Sequence, residues 1–162
     1  NIGDHGLSIL SIRNSFDNDI KSDCAPLNNL IQSCMKKNNN IHFMRDATRG
    51  GLAAVLSELA EKVDMGILLD EKAIPLGEST RGLCEFLGFD PLHLANEGKV
   101  IFIVGEGWED ILDLMKNHPL GRDSMVIGTV VEKHPGKVVL KTEIGGSRII
   151  DIPAGIQLPR IC

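Results

Sequence analysis

From Leu52 onward, apolar residues return every three or four positions: Leu52, Val55, Leu56, Leu59, Ala60 and Val63. That spacing draws one apolar stripe along a helix, and predicts a helix over DATRGGLAAVLSELAEKV (46–63) with the stripe facing a core. Shorter periodic segments predict further helices over 26–37, 78–88 and 108–118. The first has a proline in its opening turn and a stripe of Leu27, Leu30, Ile31 and Cys34; the second is closed by Gly88; the third stops at Pro119. Runs without a helical period read as strands: LSILSI (7–12), MGILLD (65–70) and KVIFIV (99–104), the last expected to be fully buried. In the final third the period shortens. SMVIGTVVE, GKVVLKTE and SRIIDI are β-branched runs separated by HPG and IGG, the pattern of an antiparallel meander or hairpins. The sum is an α+β layered fold, a mixed sheet with helices on one face.

Composition narrows the function. A chain of 162 residues with 43% apolar content can build one core. Seventeen basic against twenty-two acidic side chains, a net charge of −5, argue against a nucleic-acid or anionic-membrane surface. No apolar run reaches the ~20 residues of a membrane span, so the expected setting is cytoplasmic. The four cysteines, at 24, 34, 84 and 162, include no C-x-x-C pair, and no metal site is expected. Cys24, Cys34 and Cys84 read as core residues. The opening NIGDHGLS has the character of mid-protein sequence, as in a piece of a longer polypeptide.

Three stretches carry candidate chemistry. In TRGGL (48–52) a glycine pair, a predicted helix start and Arg49 together suit a phosphate-like anion. The same residues serve equally if Asp46 or Thr48 caps the helix and the glycines let it pack closely. DPLHLANEGK (90–99) leads into a strand with Asn96 and Glu97 at its mouth; burial there would raise the Glu97 carboxyl towards the range of a general base, whereas a solvated glutamate would be ordinary. Asp90-Pro91 reads as a helix start and His93 as a loop residue. In GDHG (3–6) the histidine suits a tight turn, and MRDATR (44–49) could hold ion pairs of Arg45 and Arg49 around Asp46.

The end of the chain, PAGIQLPRIC (153–162), has two prolines, a glycine and no period, and is expected to be a mobile tail beyond a domain of residues 1–152. Ten residues span at most about 33 Å, enough to carry a thiol into another domain's active site. Cys162 is thereby expected to be the easily reached thiol, with Arg160 offsetting the terminal carboxylate, which disfavours the thiolate.

HFMRDATRGGLAAVLSELA (42–60), LCEFLGFDPLHLANEGKV (83–100) and the terminal LPRIC closely resemble the hydrogenase expression/formation protein family HypE, within the aminoimidazole-ribonucleotide-synthetase (PurM-like) superfamily. The resemblance implies a PurM-like C-terminal domain whose ATP-binding N-terminal partner lies outside this chain. It implies that Cys162 accepts a carbamoyl group from the carbamoyltransferase HypF, and that ATP then dehydrates the adduct to a thiocyanate. The cyanide would pass to iron held by the HypC–HypD complex, as a ligand of the [NiFe] hydrogenase centre. Glu97 matches the base of the family's NEG segment, and Asn96 its support. Pro159 and Arg160 belong to the tail motif, and Asp46, Thr48, Arg49, Gly50 and Gly51 match the D-x-T-x-G-G element, implied to bind phosphate or position the tail. ATP with Mg2+ as cofactors and a homodimer are further implications. Two alternatives stand: a docking or dimerisation module without catalysis, and another ATP-dependent enzyme of the superfamily.

Overall fold

Ile67 and Leu69, two residues apart and both buried, mark β2 (Gly66–Asp70) as the central strand of the computed structural model, which describes residues 1–14 and 19–152. Strand β4 (Gly128–Val131) lies antiparallel on one side of it. Strand β5 (Val138–Lys141) lies parallel on the other, with β6 (Ser147–Ile150) antiparallel beyond, giving the order β4-β2-β5-β6. This corrects the expected meander: β5 and β6 form the hairpin, but β4 and β5 are held apart by β2. The HPG segment turns tightly, the Lys137 N–H donating to the His134 carbonyl at 3.1 Å, but it does so at the start of β2, where the Gly136 N–H donates to the Met65 carbonyl at 3.2 Å and the Ile67 N–H to that of Lys137 at 2.9 Å. Val138 and Leu140, each 1% exposed, need a central position that only pairing with β2 provides.

A second sheet has two strands, β1 (Ile41–Asp46) and β3 (Val100–Val104), antiparallel, with Asp46 opposite Val100. The sequence reading missed β1 and began a helix at Asp46; the helix α3 (Gly51–Val63) starts five residues later. β3 was expected to be fully buried, yet only Ile101 is, because among the described residues β1 is its sole strand neighbour. LSILSI is also corrected. It lies in α1 (Asp4–Asn14), where Leu7, Ser8 and Ser11 fall three and four apart on the buried face, a helical rather than an alternating pattern.

Helices α2 (Asn28–Lys37) and α5 (Trp108–Lys116) pack against each other through Leu30, Cys34, Ile111 and Met115. Helix α4 (Glu78–Leu87) ends at Gly88 in the left-handed conformation, as its sequence implied. The main core is the α3 face of Leu52, Val55, Leu56 and Ala60 against Ile67, Leu69, Val138, Leu140 and Ile150. Val63, placed on that stripe by its period, is 49% exposed. No helix among the described residues is long and apolar enough to cross a membrane.

Candidate functional site

The loop from β1 into α3 turns on its two glycines. Gly50 takes φ +70° at the helix N-cap and Gly51 φ +64°. A Cβ on Gly51 would stand 2.5 Å from the carbonyl oxygens of both Leu92 and Leu94, so no side chain fits there. Close packing therefore explains Gly51 and the left-handed N-cap Gly50, while capping by Asp46 or Thr48 does not: the α3 N-cap has no side-chain hydrogen bond, and the Thr48 hydroxyl donates to Asp46 Oδ2 at 3.3 Å. Arg49 is exposed. Arg45 pairs with Glu58 on α3 rather than with Asp46.

The segment lying over Gly51 is a 3-10 turn, Pro91–His93, begun as its sequence suggests by Asp90, whose Oδ1 accepts from the Leu92 N–H at 3.0 Å. His93 is more enclosed than a loop residue. Its side chain is 9% exposed, and burial pushes its imidazole below the ordinary value of 6.5; Asp90 opposes that shift and Arg148 adds to it. Asn96, 1% exposed, ties three segments together. Its Nδ2 donates to the carbonyls of Ala47 at 3.2 Å and Leu94 at 2.9 Å, its Oδ1 accepts from the Gly3 N–H at 2.8 Å, and its own N–H donates to Ala47 at 3.1 Å. Both side-chain donors and the acceptor are thus satisfied in a buried place, and the arrangement has one geometry.

Glu97 follows directly and is exposed, as in the solvated-loop reading of this segment rather than the buried one. It sits between Asn96 and Gly98, and Lys99 pairs with Asp23, whose side chain is 9% exposed. The structure thus joins Asn96 and Glu97 to the Ala47–Gly51 loop through backbone and amide bonds. What it offers chemically is an exposed carboxylate and an exposed guanidinium on adjoining segments. Among the described residues no group of three or more His, Cys, Asp or Glu could hold a metal ion.

Cys34 and Cys84 are core residues whose burial raises their thiols, that of Cys84 to about 11, with Asp90 and then Glu85 adding to the effect. Cys24 is exposed, against the expectation of a core position, and is therefore a reachable thiol. His5 lies in the first turn of α1 with Nδ1 2.8 Å from the Ser22 hydroxyl, a structural contact. Cys162, Arg160 and Pro159 lie outside the described residues. The sequence reading missed Gly3 and Arg148, which meets Asp90 at 2.7 Å. An arginine on a short strand gives no local sign of a partner 58 residues away.

A cleft of about 1010 Å3 opens between β3 and β4. Leu52, Leu56, Ile103, Trp108, Met125 and Val126 are among the residues that line it.

Comparison with known proteins gives a consistent result. The family described as AIR synthase related protein, C-terminal domain, matches residues 1–141. The carbamoyl dehydratase HypE of Azotobacter vinelandii is 48% identical over 164 residues, which cover 99% of this chain and 48% of that protein. A crystal structure of the hydrogenase maturation protein HypE in complex with ATP superposes with a TM-score of 0.93 at 41% identity, over 100% of this chain and 50% of that one. A crystal structure of a HypE–HypF complex gives 0.88 at 44%, over 94% and 50%. The chain spans about half the length of the curated relatives it matches.

Proposed function

The chain belongs to the AIR synthase related family, as its C-terminal, PurM-like domain, and on that premise we propose that it is the C-terminal part of an ATP-dependent carbamoyl dehydratase serving hydrogenase maturation. Cys162 accepts a carbamoyl group as a thiocarbamate. Phosphoryl transfer from ATP onto the carbamoyl oxygen makes that oxygen a leaving group. A base removes the two nitrogen protons as the C–O bond breaks with loss of phosphate, and the carbon is left triple-bonded to nitrogen on sulfur. The thiolate then leaves as cyanide passes to iron.

Glu97 is the base in this scheme and Asn96 its support. Since Glu97 is exposed here, its activation is assigned to the segment that would cover it in the longer protein. Arg49, Gly50 and Gly51, with Asp46 and Thr48 behind them, are assigned to phosphate or to the tail, and Pro159 and Arg160 to presenting the thiol. ATP and Mg2+ are assigned mainly to an N-terminal domain, and residues 153–162 to a mobile arm. HypF is the carbamoyl donor, the HypC–HypD complex the acceptor, and a cytoplasmic homodimer the working form. The observation that carries this reading is the bonded junction of Ala47, at the foot of the TRGGL loop, with Asn96 of the NEG segment, in a chain similar along its length to proteins named carbamoyl dehydratase.

Intact-mass spectrometry of the full-length protein after incubation with HypF, carbamoyl phosphate and ATP tests it. A carbamoyl increment on Cys162 that converts to a thiocyanate increment is expected. An unmodified Cys162 would instead favour the docking module, for which the apolar cleft is the supporting observation. In Glu97→Gln the carbamoyl adduct is expected to accumulate unconverted; complete conversion would remove the base assignment.

A further inference from the structure

Arg148 of β6 reaches the turn that carries Asn96 and Glu97 into place. Its Nη1 forms an ion pair with Asp90 Oδ2 at 2.7 Å, while the other carboxylate oxygen caps the turn at Leu92. Within the same group, His93 Nε2 stands 3.9 Å from Asp90 Oδ2, and Nδ1 is buried with no hydrogen-bond partner. A neutral imidazole can leave one ring nitrogen bare at modest cost. A protonated ring places a second N–H and a charge in the buried seam. Among the described residues the ring's ion-pair partner is Asp90 and Nδ1 has no hydrogen-bond partner, while α1, packed on this segment through Leu7 and Leu94, has Asp4 accepting from the Thr80 hydroxyl and His5 paired with Ser22. Helix α3 has no titratable side chain from Gly51 to Ser57, the α4 group that senses Asp90 is the thiol of Cys84, and β6 contributes a cation, Arg148. The backbone of this turn is what rests on Gly51, so whatever moves the turn moves the junction beneath it.

We propose that Arg148, Asp90 and His93 are positioning residues that seat the Asn96–Glu97 segment on the first turn of α3, and that the seat is complete only while His93 is neutral. Its value for catalysis rests on the role of Glu97 proposed above; the seat itself does not. The sign follows from the buried ring, which the fold holds below 6.5. Above that value the imidazole is neutral in both folded and unfolded chains and the stabilisation is full; it declines as pH falls below the unfolded value.

Heteronuclear NMR of the 162-residue chain reads the seat directly. Between about pH 7.5 and about pH 5, the amide signals of Gly51, Leu94 and Asn96 are expected to shift with one midpoint, below the usual imidazole value and shared with the His93 ring. His93→Gln flattens that titration. Because that variant alters a packed residue, Arg148→Ala, at a half-exposed position, carries the test independently: it displaces the same amides at neutral pH and raises the His93 midpoint, and Arg148→Lys restores most of both. Amides that ignore the His93 ring, or that stay unmoved in Arg148→Ala, overturn the proposal. In the full-length protein, Arg148→Ala is expected to slow thiocyanate formation about tenfold with ATP affinity unchanged. A displaced seat with wild-type conversion overturns the positioning role. A seat that responds as expected in a protein whose wild type makes no thiocyanate supports the seat and removes the dehydratase reading.

Discussion

The seam where the Pro91–His93 turn crosses α3 and the cleft between β3 and β4 lie in one small domain and are built in opposite ways. In the seam a missing side chain at Gly51 is matched by two carbonyl oxygens, and each side-chain polar group of Asn96 has a partner. In the cleft, apolar side chains such as Trp108 and Met125 remain 41% and 46% exposed among the described residues. The first arrangement fixes backbone positions and tolerates no added atom at Gly51. The second fixes little and leaves room. The residues assigned to chemistry adjoin the first.

The contrast can be broken most forcefully at Gly51. Gly51→Ala must relieve two overlaps with backbone oxygens and a left-handed conformation together, and is expected to cost about 4 kcal/mol, a large part of the ~5–15 kcal/mol that holds a domain folded. Urea denaturation followed by circular dichroism measures it; a loss below 1 kcal/mol would mean that the turn yields easily and the seam is not rigid. Next is Asn96→Leu, which strands the Gly3 N–H and the Leu94 carbonyl in a buried place. About 3 kcal/mol is expected from the same assay, with faster hydrogen exchange at Gly3 and Asn96. The smallest effect sharpens the other side: Val63→Ser, on the cleft rim, is expected to change stability by less than about 0.5 kcal/mol. A cost like that of Asn96→Leu would show that the cleft is closed over in solution.

Much of this fold was legible because its signals are local. The stripe from Leu52 to Ala60, the glycine that ends α4 and the Asp90–Pro91 start each follow from neighbours a few residues away. What failed was non-local. IHFMRD alternates too weakly to announce β1, and only pairing with β3, some sixty residues on, makes it a strand. LSILSI is rich in β-branched residues, but burial of Leu7 and Ser11 on one face made it helical. The candidate site divides the same way. Glycines that need positive φ, and an asparagine beside a glutamate, stand out in sequence, whereas the exposure of Glu97 and the partner of Arg148 depend on elements brought together only by the fold.

The parallel pairing of β2 with β5 also sets a timetable. Ile67 is a central core residue, yet the strand that covers its flank lies some seventy residues later, and Ile150 fills the same core from further still. A chain emerging from the ribosome at ~5–20 residues per second carries β2 for several seconds with both sides unpaired, since β4 as well as β5 lies some sixty to seventy residues on. Closure waits for nearly the whole described chain, and loops of that length favour slow folding. During that interval the exposed strand is the part of the molecule most open to mispairing with a neighbouring nascent chain, and the part a chaperone would profit most from shielding.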